Sequence, residues 1–79
     1  MKYVILGTPA CGYCKQAKQL CTDKQLHYEY LCLTQVAPAE QERLMEVAGQ
    51  EFRTVPQIFT VEEDQWNYIG GYTELRELL

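Results

Sequence analysis

Seventy-nine residues, 47% of them hydrophobic, leave room for one domain and no second core, since domains typically run roughly 50–250 residues. Seven Lys and Arg against eleven Asp and Glu give a formal net charge of −4, which excludes nucleic acid as an expected partner because phosphate binding needs a basic stripe. No apolar run nears the roughly 18 residues of a membrane helix, and residues 1–7 are too short for a secretory signal, so a cytoplasmic protein with no membrane partner is expected.

Residues 3–6, Tyr-Val-Ile-Leu, are an unbroken apolar run of strand length that suits a central strand covered on both faces, and Gly7, Thr8 and Pro9 break it. From Gly12 the positions Tyr13, Cys14, Ala17, Leu20 and Cys21 recur at helical spacing, predicting a first helix to about residue 25 with Lys15, Lys18 and Gln19 turned outward. Residues 27–33, rich in Tyr and Leu, read as a second strand. Pro38 pre-sets the first turn of a second helix, in which Leu44, Val47 and Ala48 share a face and Gly49 supplies the stop. Residues 57–61 and 66–69 read as strands joined by Glu62-Glu63-Asp64-Gln65, a hairpin link without the glycine of the tightest turns. Gly70-Gly71 ends the last strand, and Leu75, Leu78 and Leu79 give a short closing helix its apolar side. A strand-helix-strand start demands a right-handed parallel crossover and the closing hairpin is antiparallel. The expectation is therefore an α/β chain of thioredoxin-like fold: a four-stranded mixed sheet flanked by three helices, with residues 1–79 as one domain.

Four cysteines stand at 11, 14, 21 and 32, and only Cys11 and Cys14 form a close pair. No second Cys-x-x-Cys completes a zinc ribbon, so no metal is expected, and a lone pair between a strand and a helix points to redox chemistry. Cys11 falls at the helix start, where unpaired N–H groups and the helix dipole stabilise a thiolate, and is the expected nucleophile. Cys14 lies almost one turn further on, placed to attack a mixed disulfide on Cys11 and release the substrate as a thiol.

Three blocks, Cys11-Gly12-Tyr13-Cys14, Thr54-Val55-Pro56-Gln57-Ile58-Phe59 and Ile69-Gly70-Gly71-Tyr72-Thr73-Glu74-Leu75, together resemble a dithiol glutaredoxin in content and order. The resemblance implies that Val55–Pro56 is a cis peptide opposite the cysteines, leaving the Val55 backbone free to pair with glutathione as a strand would. It implies that Thr54 belongs to the same glutathione-binding segment, and that Gly71, Tyr72, Thr73 and Glu74 receive the γ-glutamyl end of glutathione. Tyr13 is implied to flank its cysteinyl sulfur. Two positions depart from the family: Thr8 stands where many members carry a lysine for the glycine carboxylate, leaving Gln41, Arg43 or Arg53 as replacements, and Gly12 stands where proline is commonest.

The remaining side chains have plainer readings. Cys21 and Cys32 are expected in the packed interior, His27 exposed at a strand start, and Trp66, Tyr68 and Tyr30 covering the sheet. The implied function is a monomeric thiol–disulfide oxidoreductase that reduces protein disulfides or glutathione mixed disulfides, with glutathione as co-substrate, no tightly bound cofactor and a reductase to recharge it. One alternative is a redoxin that serves ribonucleotide reductase and is recharged by thioredoxin reductase. Another is an iron–sulfur cluster carrier, in which Cys11 of two subunits and two glutathiones hold the cluster.

Overall fold

Four strands form one mixed sheet in the order β2-β1-β3-β4, in a computed structural model that describes residues 1–79. The elements are β1 (Lys2–Gly7), α1 (Gly12–Asp23), β2 (Tyr28–Cys32), a 3-10 turn (Leu33–Gln35), α2 (Pro38–Ala48), β3 (Gln57–Glu62), β4 (Gln65–Gly70) and α3 (Tyr72–Leu78). β1 runs parallel to β2, with Gly7 opposite Cys32, and antiparallel to β3, which pairs antiparallel with β4.

The apolar run in β1 is continuous because the strand is covered twice. Tyr3 and Ile5 pack with Ala17 and Cys21 of α1, Ile58 of β3 and Leu75 of α3. Val4 and Leu6 point the other way, against Leu44 of α2 and Phe59. Trp66 and Tyr68 close on Phe59, with ring centroids at 5.8 and 5.3 Å, so the second core is aromatic towards its β4 edge. Each fully buried side chain of this size contributes about 1.5–3 kcal/mol, so the alternation of β1 holds helices to both faces.

Local chemistry explains the element ends. Pro38 opens α2, and Gly49 closes it at φ 75°, a left-handed position that glycine takes without a Cβ clash. α1 stops at Asp23 rather than near residue 25, because Gln25 turns left-handed (φ 57°) and the Leu26 N–H reaches back to the Cys21 carbonyl at 2.9 Å. Leu33 leaves the expected second strand for the 3-10 turn. The hairpin closes through Glu63 and Asp64 at φ 50° and 67°, the two left-handed residues that a two-residue turn requires even without glycine.

Several expected interior positions are corrected. Val47 and Leu78 are exposed, Leu78 to 60%; Leu75 alone of the closing helix is fully buried. Cys21 is buried and His27 exposed as expected, whereas Cys32 is only half-buried, its Sγ 3.0 Å from Thr34 Oγ1. The Thr34 hydroxyl and the N–H groups of Thr34 and Gln35 lower the Cys32 thiol pKa.

Candidate active site

The first strand ends at Gly7, and the chain turns through Thr8, Pro9 and Ala10 before α1 begins. Cys11 is the N-cap of that helix: its backbone is extended, its N–H donates to the Thr8 carbonyl at 3.2 Å, and its Sγ accepts from the Cys14 N–H at 3.1 Å. The sulfur of Cys11 thus takes the place of a capping oxygen, accepting an N–H that the helix itself leaves without a partner. Cys11 Sγ is partly accessible, and its S–H donates to the Val55 carbonyl at 3.6 Å, which brings residues 44 positions apart into contact.

Cys14 differs from Cys11 in kind. It is 1% exposed, wedged beneath the helix start against β1. A Cβ built on Gly7 would meet Cys14 Sγ at 2.5 Å, so only glycine leaves room for this sulfur at that point of the strand. Burial, and next the hydrogen bond with Cys11, push the Cys14 thiol up to about 11. One sulfur is thus held accessible beside an N–H donor, and the other is held protonated in the interior.

Across from the pair, the Val55–Pro56 peptide is cis, as the family resemblance implies. Thr54, Val55 and Pro56 precede β3 and stand outside the sheet ladder. They form one wall of a cavity of about 210 Å³. Gly71, Tyr72, Thr73 and Glu74 form the opposite wall, and Tyr13 closes one end, 61% exposed with its ring 5.9 Å from that of Tyr72. All eight residues expected to contact glutathione therefore line a single cavity next to Cys11.

One detail differs from expectation. Glu74 turns back, and its Oε1 accepts from the Gly71 N–H at 2.8 Å, so this carboxylate caps its own helix. Gly70 permits the contact. Its φ is 131°, and a Cβ there would stand 2.6 Å from Glu74 Oε1.

The residues considered as replacements for the absent lysine divide. Gln41 is committed elsewhere: its Nε2 donates to the carbonyls of Leu33 and Val36 at 2.9 Å each, tying down the loop before α2. Arg43 pairs with Glu40 and lies over the Trp66 ring at 5.3 Å, away from the cysteines. Only Arg53 borders the site. It lines a second cavity, of about 440 Å³, with Thr54 and Gln57, and its guanidinium is 3.6 Å from Glu51. Lys18 is not simply turned outward, since its ammonium sits 4.2 Å from the centroid of Tyr30, a ring packed beside Cys14.

Sequence reasoning overlooked Gln57 and Tyr68 as parts of this region. Gln57 is buried and donates to the Thr54 carbonyl at 2.7 Å, while Tyr68 donates to Gln57 Oε1 at 2.6 Å. The available signal was a glutamine at the head of an otherwise apolar strand, since a buried amide needs partners.

The glutaredoxin family model matches residues 3–64. Glutaredoxin 1 of Escherichia coli is 34% identical, with 94% of this chain and 87% of that protein aligned. The solution structure of reduced E. coli glutaredoxin superposes with a TM-score of 0.66 at 32% identity, covering 99% of this chain and 92% of that one. A crystal structure of the buckwheat glutaredoxin–glutathione complex gives a TM-score of 0.71 at 30% identity, covering 95% of this chain and 64% of the other. With sequence and fold matched over most of its length, this chain belongs to the glutaredoxin family, and its activity is thiol–disulfide oxidoreduction.

Proposed function

We propose that Cys11 is the nucleophile and Cys14 the resolving thiol of this oxidoreductase, and that glutathione is the co-substrate bound in the cavity between residues 54–56 and 71–74. The observation that carries the reading is the position of Cys11 Sγ, between the Cys14 N–H at 3.1 Å and the Val55 carbonyl at 3.6 Å. A backbone that pairs with Val55 as an added strand brings its own sulfur to Cys11.

The chemistry follows in balanced steps. With a glutathione mixed disulfide, the Cys11 thiolate attacks the glutathione sulfur, a Cys11–glutathione disulfide forms, and the other thiol leaves with a proton. A second glutathione attacks that adduct, giving oxidised glutathione and restoring the Cys11 thiolate. With a protein disulfide, Cys11 first joins one substrate sulfur. Cys14 then attacks Cys11, its proton passing to the departing thiolate, and two glutathiones reduce the resulting Cys11–Cys14 disulfide. Ionising Cys11 also removes the S–H that engages the Val55 carbonyl, freeing that acceptor for the N–H of an arriving peptide.

Binding divides between the two walls. Val55 supplies backbone pairing, which ignores side-chain identity and suits many thiol substrates. Tyr13 and Tyr72 supply apolar flanks for the reacting sulfur. At the start of α3 the Gly71 N–H is taken by Glu74, so the Tyr72 and Thr73 N–H groups and the Thr73 hydroxyl are the donors left for the γ-glutamyl carboxylate. Residues 1–79 serve as one domain, since both cores share β1 and β3.

Turnover of a glutathione mixed disulfide, measured with glutathione and glutathione reductase and separately with thioredoxin reductase, tests the reading. Activity in the first system is expected. Activity confined to the second would overturn glutathione as the electron donor.

A further inference from the structure

Thr54, Val55 and Pro56 lie between α2 and β3, so no ladder bond holds the segment on which substrate pairing depends. A chain of side chains holds it. Gln57 Nε2 donates to the Thr54 carbonyl at 2.7 Å and approaches Thr54 Oγ1 at 3.4 Å. Gln57 Oε1 accepts from the Tyr68 hydroxyl at 2.6 Å, and that hydroxyl accepts from Gln50 Nε2 at 2.9 Å. Gln57 belongs to β3, Tyr68 to β4, and Gln50 follows the end of α2. Three elements are therefore tied to one carbonyl immediately before Val55.

That carbonyl shares a peptide plane with the Val55 N–H. In a trans peptide the two point in opposite directions, so pulling the Thr54 oxygen towards Gln57 turns the Val55 N–H away from it. The hydroxyl of Tyr68 fixes the sense of the arrangement. By donating to Oε1, it leaves Nε2 as the end of the amide that faces Thr54. Gln57 is 3% exposed, so an end of its amide left without a protein partner would be costly.

We infer that Gln57 and Tyr68 are positioning residues of the substrate site: their hydrogen-bond chain aims the Val55 N–H at the incoming peptide backbone. They set affinity for the glutathione moiety and leave the reactivity of Cys11 alone. The inference rests on the proposed pairing of glutathione with Val55.

Two variants and four readouts test it. Tyr68→Phe keeps the ring against Phe59 but frees the Gln57 amide to flip. Gln57→Glu keeps an acceptor for Tyr68 but sets an oxygen against the Thr54 carbonyl. In each, KM for a glutathione mixed disulfide and Kd for the inert analogue S-methylglutathione should rise about five- to tenfold, the worth of one buried hydrogen bond. The kcat and the rate of Cys11 alkylation by iodoacetamide should stay within about twofold of wild type. An unchanged KM and Kd in Tyr68→Phe overturns the assignment, as does a fall of kcat and alkylation in step with affinity. Failure of the wild-type protein to bind S-methylglutathione overturns the glutathione site itself, and this assignment with it.

Discussion

Gly7→Ala tests the packing that separates the two thiols. The added Cβ would stand 2.5 Å from Cys14 Sγ, 3.1 Å from Cys14 Cβ and 3.0 Å from Tyr30 Cε2. Ordinary contact lies near 3.5–4.0 Å, so about 1 Å must be found between β1 and α1. Cys14 cannot swing outward cheaply, since it is fully buried and flanked by the ring that carries Lys18. Overpacking of this kind costs about 1–3 kcal/mol. For a domain of this size each kcal/mol lowers Tm by about 4–8 °C, so a fall of roughly 10 °C is expected, read by circular dichroism. The functional effect should be uneven. A misplacement of about 1 Å can cost up to 10²-fold in rate, so reduction of protein disulfides, which needs Cys14, should fall by about ten- to a hundredfold. Turnover of glutathione mixed disulfides, which needs Cys11 alone, should stay within about threefold. A Tm within about 2 °C of wild type, with both activities intact, would refute the close packing of Gly7 on Cys14.

Cys14→Ser should keep most activity on glutathione mixed disulfides and lose it on protein disulfides; equal losses in paired assays would contradict the division of labour between the thiols. The Cys14 thiol titrates near 11 in the folded chain, above its ordinary 9.0, because burial and then the Cys11 hydrogen bond favour the neutral form. Its contribution to stability is therefore fully present below the unfolded pKa and is lost as pH rises through the folded one. Denaturant melts of the reduced protein should show stability falling between pH 9 and about 11, more steeply than in Cys14→Ser, and equal slopes would refute it.

Much of this architecture was legible because its signals are local. The unbroken run in β1 announced a doubly covered strand, Pro38 and Gly49 marked the ends of α2, and the Cys11–Cys14 spacing placed both thiols at a helix start. The cavity walls were readable only through the family's blocks, since nothing local says that residues 54–56 face residues 71–74. The errors fall where tertiary contacts overrule pattern. Leu78 fits a helical stripe, but α3 is too short to bury more than Leu75 fully. Gln25 turns left-handed and ends α1 two residues early, which its residue type does not advertise. Cys32 completes a strand pattern, yet it is the last residue of β2 and the cap of the 3-10 turn, where it is only half-buried. The Gln57–Tyr68 chain joins residues eleven positions apart across the β3–β4 hairpin, and only the register of those strands brings them together.

Cys11 attacks and Cys14 resolves in the proposed mechanism. Trapping tests it most directly: Cys14→Ser is incubated with oxidised glutathione, digested without reductant and mapped by mass spectrometry. One glutathione per chain is expected, carried on Cys11, with Cys21 and Cys32 unmodified. Glutathione found on Cys21 or Cys32, with Cys11 free, would contradict it.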